Sequence, residues 1–228
     1  MAVRFKRRCM KMKKQRGLFV VTVFATLLPL LIGIVLWSRL PEQIPVHWGI
    51  NGQADRFGQK LEAVVLWPVF LAVIQCMLIL WICMDPRKKQ MHPKPMAVTL
   101  WIIPAVSILV NGCTYIIALG GNIDITTVIY VMLGVLWILL GNYIPKLGQN
   151  YTVGIKVPWT LNSERNWTLT HRMAGRLFVA AGIISICAAF LESVVGDEVT
   201  LIVIVGVIIA AGLGSVLYSF WLYKYKGI

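Results

Sequence analysis

NYIPKLGQNYTVGIKVPWTLNSERNWTLTHRMAGR, residues Asn142 to Arg176, is the longest polar interruption between otherwise continuous apolar runs. Prolines and glycines break its first half at Pro145, Gly148, Gly154 and Pro158, and tryptophan, threonine and histidine side chains follow. A connection between two membrane spans needs far less chemistry than this. The stretch therefore divides the chain and is a candidate functional segment.

The rest of the chain is strongly apolar. Of its 228 residues, 58% are hydrophobic and 14% are charged, and the mean hydropathy is +0.77, which is outside the range of ordinary soluble domains. A helix needs about 20 mostly apolar residues to cross a bilayer while satisfying its own backbone hydrogen bonds. We therefore predict an all-α, polytopic integral membrane protein whose transmembrane helices form one bundle. Six apolar runs predict these helices, namely Leu18–Ser38, Ala63–Met84, Ala97–Leu119, Ile125–Ile144, Leu177–Val195 and Val199–Leu222.

The first apolar run follows a basic segment, as the apolar region of a signal peptide does. It is longer than the roughly 7 to 15 apolar residues typical of a signal peptide, and no small-x-small cleavage site follows it. We interpret it as a retained span.

Lys and Arg residues are distributed unevenly between the connections. If the spans alternate in direction, 19 of the 22 fall on one side of the membrane, and Arg39, Arg56 and Lys60 fall on the other. Because basic connections remain in the cytoplasm, we predict that both termini are cytoplasmic. The net charge of +13 then indicates contact with anionic lipid surfaces. We expect membrane lipids as partners and no direct binding of nucleic acid, since a basic run beside a span is typical of a membrane anchor.

We expect three regions along the chain. Residues 1–17 form a basic cytoplasmic N-terminus, and residues 18–119 form a three-span region with an outer loop at 39–60. Residues 120–228 form a second three-span region with a cytoplasmic loop at 145–176.

The outer loop combines stiff and turning segments. Pro41 and Pro45 favour extended backbone around Ile44, and Asn51-Gly52 is a strong turn signal. The sequence predicts an extended arm, a turn between Gly49 and Gly52, and a return strand. Two interpretations stay open: a lid across the mouth of the bundle, or a connector with interfacial aromatic residues.

The second half of the Asn142–Arg176 stretch has helical spacing. Asn162 or Ser163 can cap a helix, and Glu164 in its first turn suits the helix dipole. We expect this helix to lie at the membrane interface before it turns into the fifth span. Its His171 is either a structural histidine or a ligand. The residues that fall on one face of this helix are Trp167, Thr170, His171, Ala174 and Phe178.

Catalytic and ion-transfer chemistry is sparse. No Asp, Glu, Lys, Arg or His lies near the middle of any apolar run, which disfavours a proton- or ion-coupled transporter, although a channel lined by backbone remains open. The histidines have no metal-ligand spacing such as H-E-x-x-H, and neither a Ser-His-Asp order nor a glycine-rich phosphate loop is present. We predict no enzymatic activity, no catalytic residues, no metal and no cofactor.

Two stretches together resemble a known family. NYTVGIKVPWTL, followed by Trp167, Thr170 and His171, resembles the N-Y-x-x-G-[IV]-[RK]-x-P-W-T-L-x(5)-W-x-x-T-H pattern of the SdpI family of bacterial membrane proteins. PEQIPVHWGINGQADRFGQK resembles the signature of the DUF1648 region that precedes this pattern in the family. With the six-span layout, the resemblance covers nearly the whole chain. Lys156 stands where arginine is the commoner residue of the family.

The resemblance implies an immunity protein of the bacterial cytoplasmic membrane that confers resistance to a secreted toxic peptide of the Sdp type. It also implies a receptor role, in which the protein recruits a cytoplasmic helix-turn-helix autorepressor. A small transporter or channel for a small molecule or peptide is the alternative function. A third possibility is a membrane enzyme that uses His171 or the Asp55 and Lys60 cluster.

Candidate residues follow from the positions that match the two motifs. The outer-loop candidates for binding toxin or ligand are Pro45, His47, Trp48, Asp55, Phe57 and Lys60. The candidates in the cytoplasmic loop are Asn150, Tyr151, Gly154, Lys156, Pro158, Trp159, Thr160, Leu161, Trp167, Thr170 and His171.

Overall fold

A computed structural model describes residues 2–87 and 92–228, with side chains from residue 16 onward. The basic side chains before Arg16, as well as Lys88 and Lys89, lie outside the residues described in this way. The strands are β1 (Gln43–Trp48) and β2 (Ala54–Gln59). The helices are α1 (Ala2–Val35), α2 (Trp67–Met84, preceded by a π-helical turn over Glu62–Leu66), α3 (Pro93–Ala118), α4 (Ile125–Tyr143), α5 (Pro158–Asn162), α6 (Glu164–Val195) and α7 (Asp197–Lys226).

The predicted membrane architecture is confirmed. Within the described residues, six helices are long and apolar enough to cross a membrane. Each contains most of one predicted apolar run, so hydropathy alone located the spans. The protein is an all-α polytopic membrane protein, apart from one short β-hairpin.

The helix expected to begin after Asn162 or Ser163 forms, but it is not a separate element before the fifth span. Instead, α6 continues from Glu164 to Val195 without interruption. Ser163 caps it by accepting a hydrogen bond from the amide of Asn166 at 3.1 Å, and no proline follows within the helix. The location of its first turns at the membrane interface stays a prediction.

The chain divides into two compact units. The first comprises Met1–Val46, Arg56–Leu80 and Leu100–Ile123. Its hydrophobic core is Leu40, Ile44, Ala63, Val64 and Tyr115.

Buried polar groups connect helices within the first unit. The Ser107 hydroxyl donates to the Thr26 carbonyl at 2.8 Å, and the Gln75 amide donates to the Leu100 carbonyl at 3.0 Å. Such bonds between membrane helices contribute about 0.6 kcal/mol on average. They fix neighbouring helices of this unit rather than build a site.

The second unit comprises His47–Asp55, Trp81–Thr99 and Asp124–Ile228. Here α4 and α6 approach closely through glycines. A Cβ atom added to Gly141 would lie 2.7 Å from the Gly175 carbonyl oxygen, and one added to Gly182 would lie 2.5 Å from the Gly134 carbonyl oxygen. The core of this unit is Ile144, Leu147, Trp167, Ala174, Phe178, Ala181 and Ala211.

Strands β1 and β2 pair as a hairpin. At its turn, the amide of Gly49 donates to the carbonyl of Gln53 at 2.9 Å, and Gly52 has a φ of 70°, which favours glycine. A two-stranded hairpin is marginally stable alone. Its base is anchored in the first unit by Ile44, which is fully buried. The expected extended arm, turn and return segment are therefore present; the arm is strand β1 and the return segment is strand β2.

Candidate functional site

The loop between α4 and α6, residues 147–163, is called the motif loop below. Asn150 is fully buried and organises its first turn. The Asn150 side-chain oxygen accepts hydrogen bonds from the amides of Thr152 at 2.9 Å and Val153 at 2.7 Å. Its side-chain nitrogen donates to the carbonyls of Gly148 at 2.8 Å and Val153 at 3.0 Å. Since donor and acceptor are both used, asparagine fits this position and aspartate does not.

Asp85, directly after α2, holds the same turn from outside the motif loop. It is 3% exposed. Its carboxylate accepts from the Tyr151 amide at 2.8 Å, the Thr152 hydroxyl at 2.6 Å and the Arg87 amide at 2.8 Å. Burial raises the pKa of Asp85, but these hydrogen bonds favour the charged form and outweigh burial, so the pKa lies below its ordinary value.

Asp85 and Gln149 were absent from the residues predicted from sequence. The side-chain nitrogen of Gln149 donates to the backbone carbonyls of Thr160 at 2.7 Å and Leu161 at 2.8 Å. Asp85 lies 66 residues before its partner Tyr151. The signal for Asp85 was an acid at the end of an apolar run, followed by Pro86, and nothing in that signal identifies a distant partner.

Two cations bind carbonyls of the motif loop. Lys156 donates to the carbonyls of Tyr151 at 3.2 Å and Thr152 at 3.0 Å, and its ammonium lies 5.5 Å from the ring centroid of Trp81. The Arg87 guanidinium donates to the Leu161 carbonyl at 3.3 Å and lies 4.8 Å from the ring centroid of Tyr151. The Lys156 ammonium is a compact group with several donors, so lysine meets the two carbonyls without a planar fork.

Trp167 and His171 support the loop from α6. Their rings stack with centroids 4.0 Å apart, and the Trp167 indole donates to the Leu147 carbonyl at 2.8 Å. His171 Nε2 lies 3.1 Å from the amide nitrogen of Ile155, and Nδ1 lies 2.7 Å from the Trp167 carbonyl oxygen. An amide can only donate and a carbonyl can only accept, so Nε2 is the acceptor and Nδ1 carries the proton.

This arrangement fixes the role of His171 in the fold. Both ring nitrogens are engaged, and the side chain is fully buried, so neither nitrogen is available to a metal in this conformation. Gly154 completes the contact with a φ of 125°, and a Cβ atom there would lie 2.5 Å from His171 Nε2. Of the two interpretations left open by the sequence, the geometry supports the structural one.

Thr160, Asn166 and Thr170 are buried and bonded internally. The Thr160 hydroxyl, in the first turn of α5, donates a hydrogen bond to the Ile155 carbonyl at 2.8 Å. It accepts one from the backbone amide of Val157 at 3.1 Å. Asn166 accepts from the hydroxyls of Thr170 at 3.0 Å and Ser219 at 2.7 Å. The second contact connects α6 to α7.

The motif loop leaves an aromatic surface exposed. Trp159 is half-buried and stacks on Tyr223 of α7 with ring centroids 5.8 Å apart. It also meets Phe220 edge to face, with ring centroids 5.4 Å apart. Tyr151 is 40% exposed and Tyr223 56% exposed. Lys156 and Pro158 are exposed as well. The motif residues therefore separate into a buried framework and this outward surface.

The candidate residues of the hairpin also divide into buried and exposed side chains. Pro45 and Lys60 are buried; Lys60 forms an ion pair with Glu42 at 2.9 Å. His47 Nδ1 lies 2.6 Å from a carboxylate oxygen of Asp55, with both side chains exposed.

Two aromatic candidates complete the hairpin. Phe57 is 56% exposed, and Trp48 is half-buried. The exposed face thus combines one acid, one imidazole and one large apolar ring.

No group of three His, Cys, Asp or Glu side chains that could hold a metal lies within the part of the chain that the structure describes. The hypothesis of a membrane enzyme grouped Asp55 with Lys60, but these two side chains do not form a hydrogen bond with each other. Asp55 contacts His47, and Lys60 contacts Glu42.

Two family models match the chain. The SdpI/YfhL protein family matches residues 146–219, which contain the motif loop, α5, α6 and most of α7. A domain of unknown function, DUF1648, matches residues 24–72, which contain the hairpin. These matches confirm the resemblance to the SdpI family.

Similarity to one characterised protein extends over almost the full length. The chain is 29% identical over 208 residues to the immunity protein SdpI of Bacillus subtilis (strain 168), which covers 90% of this chain and 95% of that relative. It is also 36% identical over 55 residues to an uncharacterised protein of Archaeoglobus fulgidus, which covers 24% of this chain and 30% of that protein. No solved structure matches.

Proposed function

We propose that this SdpI-like protein is an immunity protein of the bacterial cytoplasmic membrane, which protects a cell from a secreted toxic peptide of the Sdp type. The observation that carries the proposal is the similarity to the immunity protein SdpI over 95% of that protein's length. The protein acts by binding and not by catalysis.

The toxin meets the exposed face of the hairpin, formed by His47, Asp55 and Phe57. This face suits an amphipathic peptide because Phe57 offers apolar area, while the His47–Asp55 pair offers polar groups at its edge. Pro45 and Lys60 act indirectly, since both are buried and hold the hairpin base. The bias of Lys and Arg between connections supports an outer location of the hairpin.

Expression in a toxin-sensitive strain tests the immunity role. Cells that carry the protein at verified membrane levels should survive toxin concentrations that kill cells with an empty vector. Equal killing of both would contradict the proposal.

Thiol labelling tests the orientation of the protein in the membrane. In a cysteine-free background, a membrane-impermeant thiol reagent should label Gln59→Cys on intact cells and should leave Arg165→Cys unlabelled. The reverse result would contradict the proposed orientation.

The aromatic surface of the motif loop is the proposed site for a cytoplasmic helix-turn-helix repressor. Trp159 and Tyr223, which stack on each other, supply the kind of rigid aromatic area that dominates protein interfaces. Tyr223→Ala should weaken membrane recruitment of the repressor and leave immunity intact. Tyr225→Ala is the matched control, because Tyr225 also lies in the last turn of α7 and the ring contacts of Trp159 are with Phe220 and Tyr223. Equal recruitment by the two variants would exclude this surface.

A permeation function predicts a different result in vitro. The purified protein in liposomes should show no flux of small solutes or peptide if it acts by binding. Protein-dependent flux above that of empty liposomes would favour the transporter or channel.

A further inference from the structure

A cavity of about 620 Å³ opens between α4 and α6 at the end of the second unit that carries the motif loop. None of its lining residues belongs to the candidate sites described above. The lining residues are Gly141, Asn142, Pro145, Lys146, Arg172, Gly175, Arg176, Val179, Ala180 and Ile183.

One end of the cavity is strongly basic. Lys146 comes from the turn after α4, and Arg172 and Arg176 lie one turn apart on α6. All three side chains are exposed, and no acidic residue lines the cavity. Within the described residues, the salt bridges found lie elsewhere, at His47, Arg56 and Lys60. The cavity therefore offers two guanidinium groups and one ammonium without an anionic partner from this chain.

The other end of the cavity is apolar. Beyond Arg176, α6 presents Val179, Ala180 and Ile183 to the cavity, and Ile183 is 51% exposed. These residues lie within a segment long and apolar enough to cross a membrane. Along one helix, cationic side chains are thus followed by an open apolar wall.

This order matches the chemistry of a phospholipid with an anionic headgroup. Guanidinium groups bind phosphate through charge-assisted hydrogen bonds, and basic pockets between membrane helices are known to hold anionic headgroups. An acyl chain needs the neighbouring apolar surface, whereas free phosphate does not. Gly141 and Gly175 bring α4 and α6 into close contact beside the cavity.

We propose that this cavity binds one anionic diacyl phospholipid of the surrounding membrane. Arg172, Arg176 and Lys146 hold the headgroup phosphate, and an acyl chain lies along Val179, Ala180 and Ile183. The site shares no residue with the hairpin or with the exposed aromatic surface.

Lipid exchange on the purified full chain tests the proposal. The protein in neutral detergent is titrated with a phosphatidylglycerol or a phosphatidylcholine of identical acyl chains, and bound lipid is counted by native mass spectrometry. The wild type should prefer phosphatidylglycerol by at least tenfold. Each basic residue near an anionic lipid contributes about fivefold in affinity, so Lys146→Gln/Arg172→Gln/Arg176→Gln should abolish that preference. Inorganic phosphate at millimolar concentration should not displace the lipid.

The matched control is Arg165→Gln/Lys224→Gln/Lys226→Gln, which also removes three positive charges. These residues lie in the first turn of α6 and the last turn of α7, and none of them lines the cavity. This control variant should retain the preference. The proposal is overturned if the wild type binds both lipids equally, if the control loses as much as the cavity variant, or if phosphate competes fully. Should the triple variant not fold, Arg172→Gln and Arg176→Gln singly should each lose about fivefold, and an unchanged preference in both would overturn it as well.

Discussion

At the scale of single residues, the motif loop is held by polar side chains whose hydrogen-bonding capacity is used within the fold. Asp85 accepts from three donors, Asn150 fills both ends of its amide, and His171 uses both ring nitrogens. A buried polar group left without its partner costs about 1–3 kcal/mol. Replacing any of these three residues should therefore destabilise the motif loop, and any effect on the binding of a partner should follow from that loss of structure.

Asp85→Ala should lower the free energy of unfolding by about 3 kcal/mol, because it leaves the Tyr151 amide and the Thr152 hydroxyl without an acceptor. Thermal unfolding in detergent measures the change. Asp55→Ala is the control, since its contact with His47 is exposed and exposed contacts of this kind contribute less than about 1 kcal/mol. Equal stability of the two variants would contradict the role assigned to Asp85.

The lowered pKa of Asp85 predicts a pH dependence. A carboxyl group whose pKa is depressed by folding stabilises the protein above its unfolded pKa of about 3.9, and this contribution is lost as pH falls toward the folded pKa. The stability difference between wild type and Asp85→Asn should thus be constant above about pH 5 and shrink below about pH 4. A difference that grows on acidification would have the wrong sign.

Gly154→Ala should destabilise the loop by about 1–3 kcal/mol, because residue 154 has a φ of 125° and the new Cβ would meet His171 Nε2 at 2.5 Å. Gly206→Ala in α7 is the matched control, since a Cβ there meets no atom within 4 Å. It should be neutral or slightly stabilising. Comparable melting temperatures for both variants would show that the loop tolerates a side chain at 154.

At the scale of elements, apolar runs predicted the helices because crossing a bilayer constrains length and composition. Pro45 and Asn51-Gly52 predicted an extended arm and a turn, but strand pairing depends on the burial of Ile44 against distant core residues. Likewise, nothing near Asp85 in the sequence identifies Tyr151 and Thr152 as its partners. Local patterns therefore predicted the elements and the motif residues, while the contacts that define their roles depend on tertiary structure.

The close approach of α4 and α6 makes an element-scale prediction. Gly141→Leu should separate the helices and cost about 1–3 kcal/mol or more, because its Cβ would lie 2.7 Å from the Gly175 carbonyl oxygen and the Val179 amide nitrogen. Gly206→Leu adds the same volume where no atom lies within 4 Å. The yield of monodisperse protein after purification measures the difference, and equal yields would argue against tight glycine packing.

At the scale of the whole molecule, the SdpI-like protein combines an exposed hairpin face with a separate, internally bonded motif loop. The motif that carries the family resemblance is mostly framework, so its recognition in the sequence identifies the fold more directly than the binding surface. We propose that exposed residues carry the function instead, above all Asp55 and Phe57 on β2 and His47 on β1.

Protection against toxin by a variant of the hairpin face is the most direct test of this account. His47→Ala/Asp55→Ala/Phe57→Ala alters three exposed side chains at the centre of the hairpin face, and Gln43→Ala/Gln53→Ala/Gln59→Ala alters three exposed side chains toward the two ends of the same face. At equal membrane levels, the first variant should raise toxin killing at least tenfold, and the second should protect like the wild type. Full protection by the first variant, or equal loss in both, would contradict the central claim that His47, Asp55 and Phe57, at the centre of this face, meet the toxin.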